Sequence, residues 1–340
     1  MSWRRRDLLA ALGALPVAAG VAGLPRAGHA ADAAVTATPV PFAPGDVVVG
    51  CTLLNDPKDD HRGRGRILHY DNQLKLKNTV WLNDTTHIVQ GLRFGPDRTL
   101  WAFDAFAYRI ARFAPDGRRL ADFTKAPARS FAQITFHPDG RFFLGENFVG
   151  EKSRVPLRTT LPFMPGTKRL GDGHLFEFSA KGKLLREHAT RVHGGMGGFQ
   201  GLNSSALTPD GQSIVYTSES GPKVFRWDLA ARRQMPNVLD YEDNKGQFYF
   251  DLCFDRTQRL LVMAGTRIDA IDLSGKLLRS YPLPKFGWAS MSEPLRDTHL
   301  YATNFFTGDI LKLDLASGAV LAQANTGVLK SVSGVAEFPG

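Results

Sequence analysis

Five stretches of this chain follow one grammar, and that repetition limits the fold more than any other feature. They are GLRFGPDRTLWAFDAFAYRIARFAPDGRRLADF from Gly91, ITFHPDGRFFLGENF from Ile134, SALTPDGQSIVYTSESGPKVFRWDL from Ser205, LCFDRTQRLLVMAGTRIDAIDLSGKLLRSYPL from Leu252 and SEPLRDTHLYATNFFTGDILKLDLASGAVLAQ from Ser292. Each starts with a short apolar strand. A turn of the Pro-Asp-Gly kind follows, then an apolar strand, a polar loop, an alternating strand, an Asp-Gly or Ser-Gly turn and a last strand. Proline presets φ, while Asp and Gly accept the remaining turn angles. Alternation such as Val224-Phe225-Arg226-Trp227 and Ile310-Leu311-Lys312-Leu313 marks half-buried strands.

Four strands per unit at this period predict propeller blades. Equivalent positions are Phe94, Phe136, Leu207, Phe254 and Pro294, spaced 40 to 47 apart except for one gap of 71. The excess falls in residues 146–173, an insertion between the second and third strands of one blade and a candidate lid. The ends supply a sixth blade. SGVAEFPG (333–340) reads as a first strand; GDVVVGC (45–51) and GRILHYDNQLKLKNTVWL (65–82) read as the second, third and fourth. The expected fold is therefore an all-β, six-bladed β-propeller, its ring closed by pairing of the C-terminal strand with the N-terminal blade. Closure of this kind removes open sheet edges.

Residues 1–30 read as an export signal. Arg4, Arg5 and Arg6 precede an apolar run from Leu8 to Leu24 that contains Gly and Pro, and Gly28-His29-Ala30 offers small residues for cleavage. Ser2-Trp3-Arg4-Arg5-Arg6-Asp7-Leu8-Leu9 resembles the twin-arginine type. The expectation is a periplasmic or extracytoplasmic protein, with a linker at 31–40, a propeller over 41–340 and no membrane span after cleavage. Removing the signal, with its four Arg against one Asp, lowers the net charge from +9 to +6. The remaining Lys and Arg are scattered, without a basic stripe interleaved with aromatics, so nucleic acid is not an expected partner. A small-molecule ligand or substrate is. Cys51 and Cys253 fall in different blades, on strands of different type, which favours two buried thiols over a disulfide.

In a propeller, the residues before each first strand and those ending each second strand form one ring at a channel mouth. Here these are His87 and Gln90, Ala132 and Gln133, Gln200 and Asn203, Phe250 and Asp251, Ser290 and Met291, and Ser333. Second-strand ends add Cys51, Asp104, Glu146, Asn147, Ser218, Glu219 and Asn304. Converging amides and carboxylates suit a divalent cation, calcium before others, or else satisfy one another and channel water. His193-Gly-Gly-Met-Gly-Gly198 should lie over the same mouth, either as a plain connection or with backbone N–H groups free to approach an anion.

Residues 203–211 (NSSALTPDG), followed by VYTSES at 215–220 and VFRWD at 224–228, resemble the segment N-G-x-x-F-S-x-D-G…Y-x-x-[DS]-S of six-bladed propellers in the gluconolactonase and senescence-marker group. Strictosidine-synthase-like and NHL-type propellers share much of it. The resemblance implies a divalent metal held by Asn203, with a Glu and an Asp from other blades. Gln90 stands where that Glu would be, and Phe250 stands at the Asp position, with Asp251 one residue later. On a regular strand that shift turns the carboxylate to the other face; a bulge would turn it back. Three functions follow: a small-molecule binding or interaction propeller, a metal-dependent lactonase or arylesterase, and a quinone-dependent redox propeller. For the hydrolase, Gln90, Asn203 and Asp251 would hold the metal and Glu146 or His87 would act as base. Gln133, Asp104, His193, Glu219 and Asn304 would complete the mouth.

Overall fold

The computed structural model describes residues 38–57, 59–82, 91–152, 168–242, 246–295 and 299–339. Among them every regular element is a strand. The proposed signal at 1–30, His87, Gln90 and the centre of the insertion lie outside the described residues.

Six antiparallel sheets form a six-bladed propeller. Blade 1 runs Gly91–Phe94, Leu100–Asp104, Arg109–Phe113 and Arg119–Leu120. Blade 2 comprises Phe131–Phe136, Phe142–Glu146, Leu175–Phe178 and Leu184–His188, interrupted after its second strand by a hairpin of Val149–Gly150 with Gly171–Asp172. Blade 3 contains Ser204–Leu207, Ser213–Thr217 and Lys223–Asp228, whose outer edge carries both Arg233–Gln234 and Leu239–Asp240. Blade 4 has Leu252–Phe254, Leu260–Met263, Arg267–Ile271 and Leu277–Pro282; blade 5 has Trp288–Met291, His299–Asn304, Asp309–Asp314 and Val320–Asn325.

Blade 6 closes the ring as the sequence predicts. Val332–Glu337 pairs with Val47–Asp56, in register from Val47 opposite Glu337 to Gly50 opposite Gly334. Asp59–Tyr70 and Leu76–Leu82 complete it. Phe338 seals the joint, its ring 5.1 Å from Phe94 and 5.6 Å from Phe42. The Val47–Asp56 and Asp59–Tyr70 hairpin is longer than the repeat requires. Beyond Cys51, where pairing with the closing strand ends, five more residues rise past the ring, or roughly 16 Å at the usual strand rise.

The first-to-second strand turns recur because their chemistry recurs. In His137-Pro-Asp-Gly140 and Thr208-Pro-Asp-Gly211, the glycine N–H closes on the first carbonyl at 2.9 and 2.8 Å, with φ at +91° and +71°. The Asp side chain accepts the N–H of the residue after the glycine, at 2.9 Å in Asp139 and 3.0 Å in Asp210. Blades 1 and 4 build the same turn with Arg98 and Gln258 at positive φ.

The core lies between blades, where sheet faces stack. Third strands of blades 3 and 5, KVFRWD and DILKLD, share one burial pattern, while outer strands are exposed at their leading positions. Phe142 and Phe178 stack at 5.1 Å within blade 2. Cys51 and Cys253 are both buried and free, in blades 6 and 4.

Candidate functional site: the channel mouth

First strands line the central channel, and those of blades 2, 4, 5 and 6 are irregular at the mouth end. In blade 2, Phe131 faces Glu146 and Gln133 faces Gly145, leaving Ala132 extra. Blade 5 skips Ala289, and blade 6 skips Ser333. In blade 4, Phe250 N–H bonds Met263 O while Asp251 O accepts Met263 N–H, two residues against one. This is bulge pairing, which re-aims side chains at a sheet end. It brings Asp251 to the channel despite the one-residue shift, and Phe250 lines the same cavity.

That cavity has a volume of about 310 Å³. Its floor is polar and internally bonded. Asp251 Oδ1 accepts Ser204 Oγ at 2.5 Å and Leu252 N at 2.8 Å; Oδ2 accepts Met291 N at 2.7 Å. Asn203 Nδ2 donates to Phe250 O at 2.9 Å, and its backbone N–H donates to Thr217 O. Gln133 Nε2 donates to Ser205 Oγ at 2.6 Å. Ser290 Oγ donates to Ser333 O. Arg93, in the middle of the first strand of blade 1, pairs with Glu293 across the channel. Burial opposes the Arg93 charge, but Glu293 and Asp251 outweigh it and lift its pKa. Burial pushes the Asp251 carboxyl up, against the hydrogen bonds and Arg93, which favour its charge.

The rim is aromatic. Phe106, Phe148 and Phe199 form one edge-to-face group from blades 1 and 2, with centroids 4.8 and 5.8 Å apart. Phe250, Phe286 and Phe306 form a second cluster from blades 4 and 5, the first pair edge-to-face at 6.3 Å and the second tilted at 5.9 Å. All six line the cavity. Between these groups stand Glu219 of blade 3 and Asp60 of the tall blade 6 hairpin, on opposite sides of the ring.

The loop 193–198 is stitched down. His193 N donates to Ser218 Oγ at 2.9 Å, Met196 N to Ser220 Oγ at 3.1 Å, and Gln200 N to Gly194 O at 3.1 Å. Met196, Gly197 and Gln200 line the cavity beside it.

Of the residues singled out from sequence, Asn203, Asp251, Gln133 and Glu219 converge on the cavity. His193 anchors the loop above it. Asp104, Asn304 and Glu146 end their second strands as expected, but their side chains serve the chain itself. Asp104 Oδ1 accepts the N–H groups of Phe106 and Ala107; Asn304 Oδ1 accepts those of Phe306 and Thr307. Both cap the turn into the third strand. Glu146 is fully buried: Oε2 accepts the N–H groups of Asp172, Gly173 and His174, and Oε1 pairs with Arg129 at 3.0 Å. It anchors the base of the insertion. Burial raises its pKa against those partners.

Of the three residues expected to hold a divalent cation, Gln90 lies outside the described residues, and Asn203 and Asp251 are hydrogen-bonded within the protein. Asp251 spends both oxygens on protein donors, the Asn203 amide nitrogen is turned to a carbonyl, and the positive charge beside Asp251 belongs to Arg93. Calcium takes six to eight oxygens; among the described residues no three His, Cys, Asp or Glu gather to hold an ion.

No family model matches the chain, and no curated protein matches it. Solved structures do. A chain of the nidogen/laminin complex superposes with a TM-score of 0.60 at 12% identity, covering 86% of this chain and 98% of that one. A protein of unknown function from Bacteroides caccae gives 0.58 at 15%, covering 88% and 100%. A catalytically inactive virginiamycin B lyase from Staphylococcus aureus with quinupristin gives 0.50 at 13%, covering 83% and 86%. At such identities the likeness is one of fold.

Proposed function

We propose that this chain is an exported, small-molecule-binding propeller of the gluconolactonase and senescence-marker kind, with its ligand in the channel mouth. The observation that carries the reading is the cavity of about 310 Å³, apolar and aromatic at the rim and polar at the floor. Ligand pockets have this size and build, a concave apolar wall with a few convergent polar groups that set orientation. Rings on blades 1, 2, 4 and 5 give the ligand body two facing walls. Arg4, Arg5 and Arg6 before an apolar run support export to the periplasm.

The binding reading is preferred to metal-dependent hydrolysis because Glu146 and Asp251, the carboxylates a hydrolase would use, are already hydrogen-bonded to the protein. A thermal-shift and calorimetric screen of small aromatic compounds tests it, with Phe286→Ala as the paired variant. A hit whose affinity drops about 10-fold in the variant supports the mouth as the site, the loss expected for one packed aromatic contact. Hits unaffected by Phe286→Ala and by Phe306→Ala would place the ligand elsewhere and sink the reading.

A further inference from the structure

The polar floor of the mouth is bonded to the protein itself. Among the described residues, the charged side chains lining the cavity are Asp60, Arg93, Glu219, Asp251, Glu293 and Glu337. Arg93 and Glu293 pair with each other. Asp251 accepts from Ser204 Oγ, Leu252 N and Met291 N. Glu337 is buried, 3.4 Å from His299, and Asp60 and Glu219 are engaged as well. The uncharged groups repeat the pattern: Gln133 donates to Ser205, the Asn203 amide to Phe250 O and Ser290 to Ser333 O. A cationic ligand would have to win a carboxylate from its present partners, and an anionic one would have to take Arg93 from Glu293. Either exchange strips a charge of water and breaks a pair to make one.

The apolar surface, by contrast, is open. Phe106, Met196, Phe286, Phe305 and Phe306 line the cavity and are only half-buried. Phe148 and Phe250 are buried and back this surface, their centroids 4.8 Å from Phe106 and 6.3 Å from Phe286. Phe305 and Phe306 meet edge-to-face at 5.2 Å, so the rings hold one another in place before any ligand arrives. Phe106 belongs to blade 1 and Met196 to the loop before blade 3, on the other side of the ring from Phe286, Phe305 and Phe306. Ring surface favours a further ring beyond the area it covers, and a thioether adapts its shape to the ring it meets.

We infer that the ligand is an uncharged aromatic molecule, held by the surface it covers and not by a charge. This inference rests on the mouth being the binding site. The ligand's rings lie between Phe106 and Met196 on one side and Phe286, Phe305 and Phe306 on the other. The self-bonded floor closes the pocket below them and rejects either sign of charge.

Four probes on one bicyclic body separate the outcomes: 2-naphthylmethanol, its saturated counterpart decahydro-2-naphthylmethanol, 2-naphthylmethylammonium and 2-naphthoate, titrated calorimetrically into the full chain at pH 7. The aromatic alcohol should bind tightest, at least about 10-fold above either ion and about 3-fold above the saturated alcohol. Phe306→Ala should weaken it about 10-fold. Arg93→Gln removes the cation that pairs with Glu293, so 2-naphthylmethylammonium should gain on the aromatic alcohol in that variant; an unchanged ratio would overturn the floor's part in rejecting charge. An ion that binds the wild type as tightly as the aromatic alcohol, with both weakened by Phe306→Ala, would overturn the uncharged assignment while leaving the mouth as the site. A saturated alcohol that binds as tightly would overturn the aromatic one. Saturable binding of none of the four, or binding that Phe106→Ala and Phe306→Ala leave unchanged, would overturn the inference together with the mouth as the site.

Discussion

Arg93 of blade 1 and Glu293 of blade 5 meet across the channel as an ion pair, with Asp251 close enough for the guanidinium to favour its charge. The protein's own cation thus holds the carboxylates together. Arg93→Gln should leave Asp251 and Glu293 facing each other uncompensated. Breaking a fully buried pair costs about 3–5 kcal/mol; with the Glu293 side chain 39% exposed, about 1–2 kcal/mol is expected. Millimolar calcium should then raise the melting temperature of the variant and leave the wild type unmoved. Identical calcium responses in the two proteins would refute the role given to Arg93.

Gly91 starts the first strand of blade 1 where a Cβ would stand 1.7 Å from the Ala132 carbonyl oxygen, which is backbone and cannot step aside. Gly91→Ala should force blades 1 and 2 apart and cost about 1–3 kcal/mol, as overpacking does. Urea unfolding reads it; a midpoint equal to that of the wild type would disprove the close approach.

Phe338 is the apolar plug of the ring joint, packed against Phe42 and Phe94. Phe338→Ala should lower stability by about 3–5 kcal/mol. Limited proteolysis should then cut first near the joint. Cleavage that begins instead in an outer strand would mean that the ring holds without this ring-to-ring packing.

His69 and His188 give stability a pH dependence. Burial lowers both pKa values, against the carboxylates of Asp46 and Glu177 at 2.6 and 2.9 Å. A histidine with a depressed folded pKa stays neutral in the fold and protonates first in the unfolded chain. The unfolded state therefore binds more protons below its pKa of about 6.5. Stability is fully present above that pH and falls as the pH drops toward the folded pKa values. Urea midpoints between pH 8 and pH 5 should show this decline, and His188→Gln should flatten part of it. A decline of equal slope in the variant would assign the effect to other groups.

The fold was legible because the repeat is written in turn chemistry. Pro-Asp-Gly at 138–140 and 209–211 fixes where strands reverse, and the closing strand at 332–337 could be inferred from a blade missing its first strand. The mouth was legible in part. Asn203, Gln133, Asp251 and Glu219 reach the cavity because strand order alone decides which residues begin or end a strand beside the channel. Asp104 and Asn304 stand at the same level, yet a short polar chain at a strand end finds the N–H groups of its own turn sooner than the channel. Arg93 was missed because it lies within its strand rather than at the end. Of the phenylalanines at the mouth, strand order pointed to Phe250; the others carried no signal, since Phe148 and Phe286 look in sequence like any other core residue. The tall hairpin was hidden by residues 52–64, a polar stretch that reads as loop.

The joint at Val47–Asp56 also sets an order of events. Its inner partner, Val332–Glu337, follows every other described strand in the chain. During synthesis Val47, Val48 and Val49, all fully buried in the finished ring, must wait with one backbone edge unpaired while five blades are made. Such an edge is a template for wrong partners, and pairing across nearly the whole chain is slow. Until residue 337 has emerged that edge stays open to wrong partners, and holding it apart is what a folding helper would have to do.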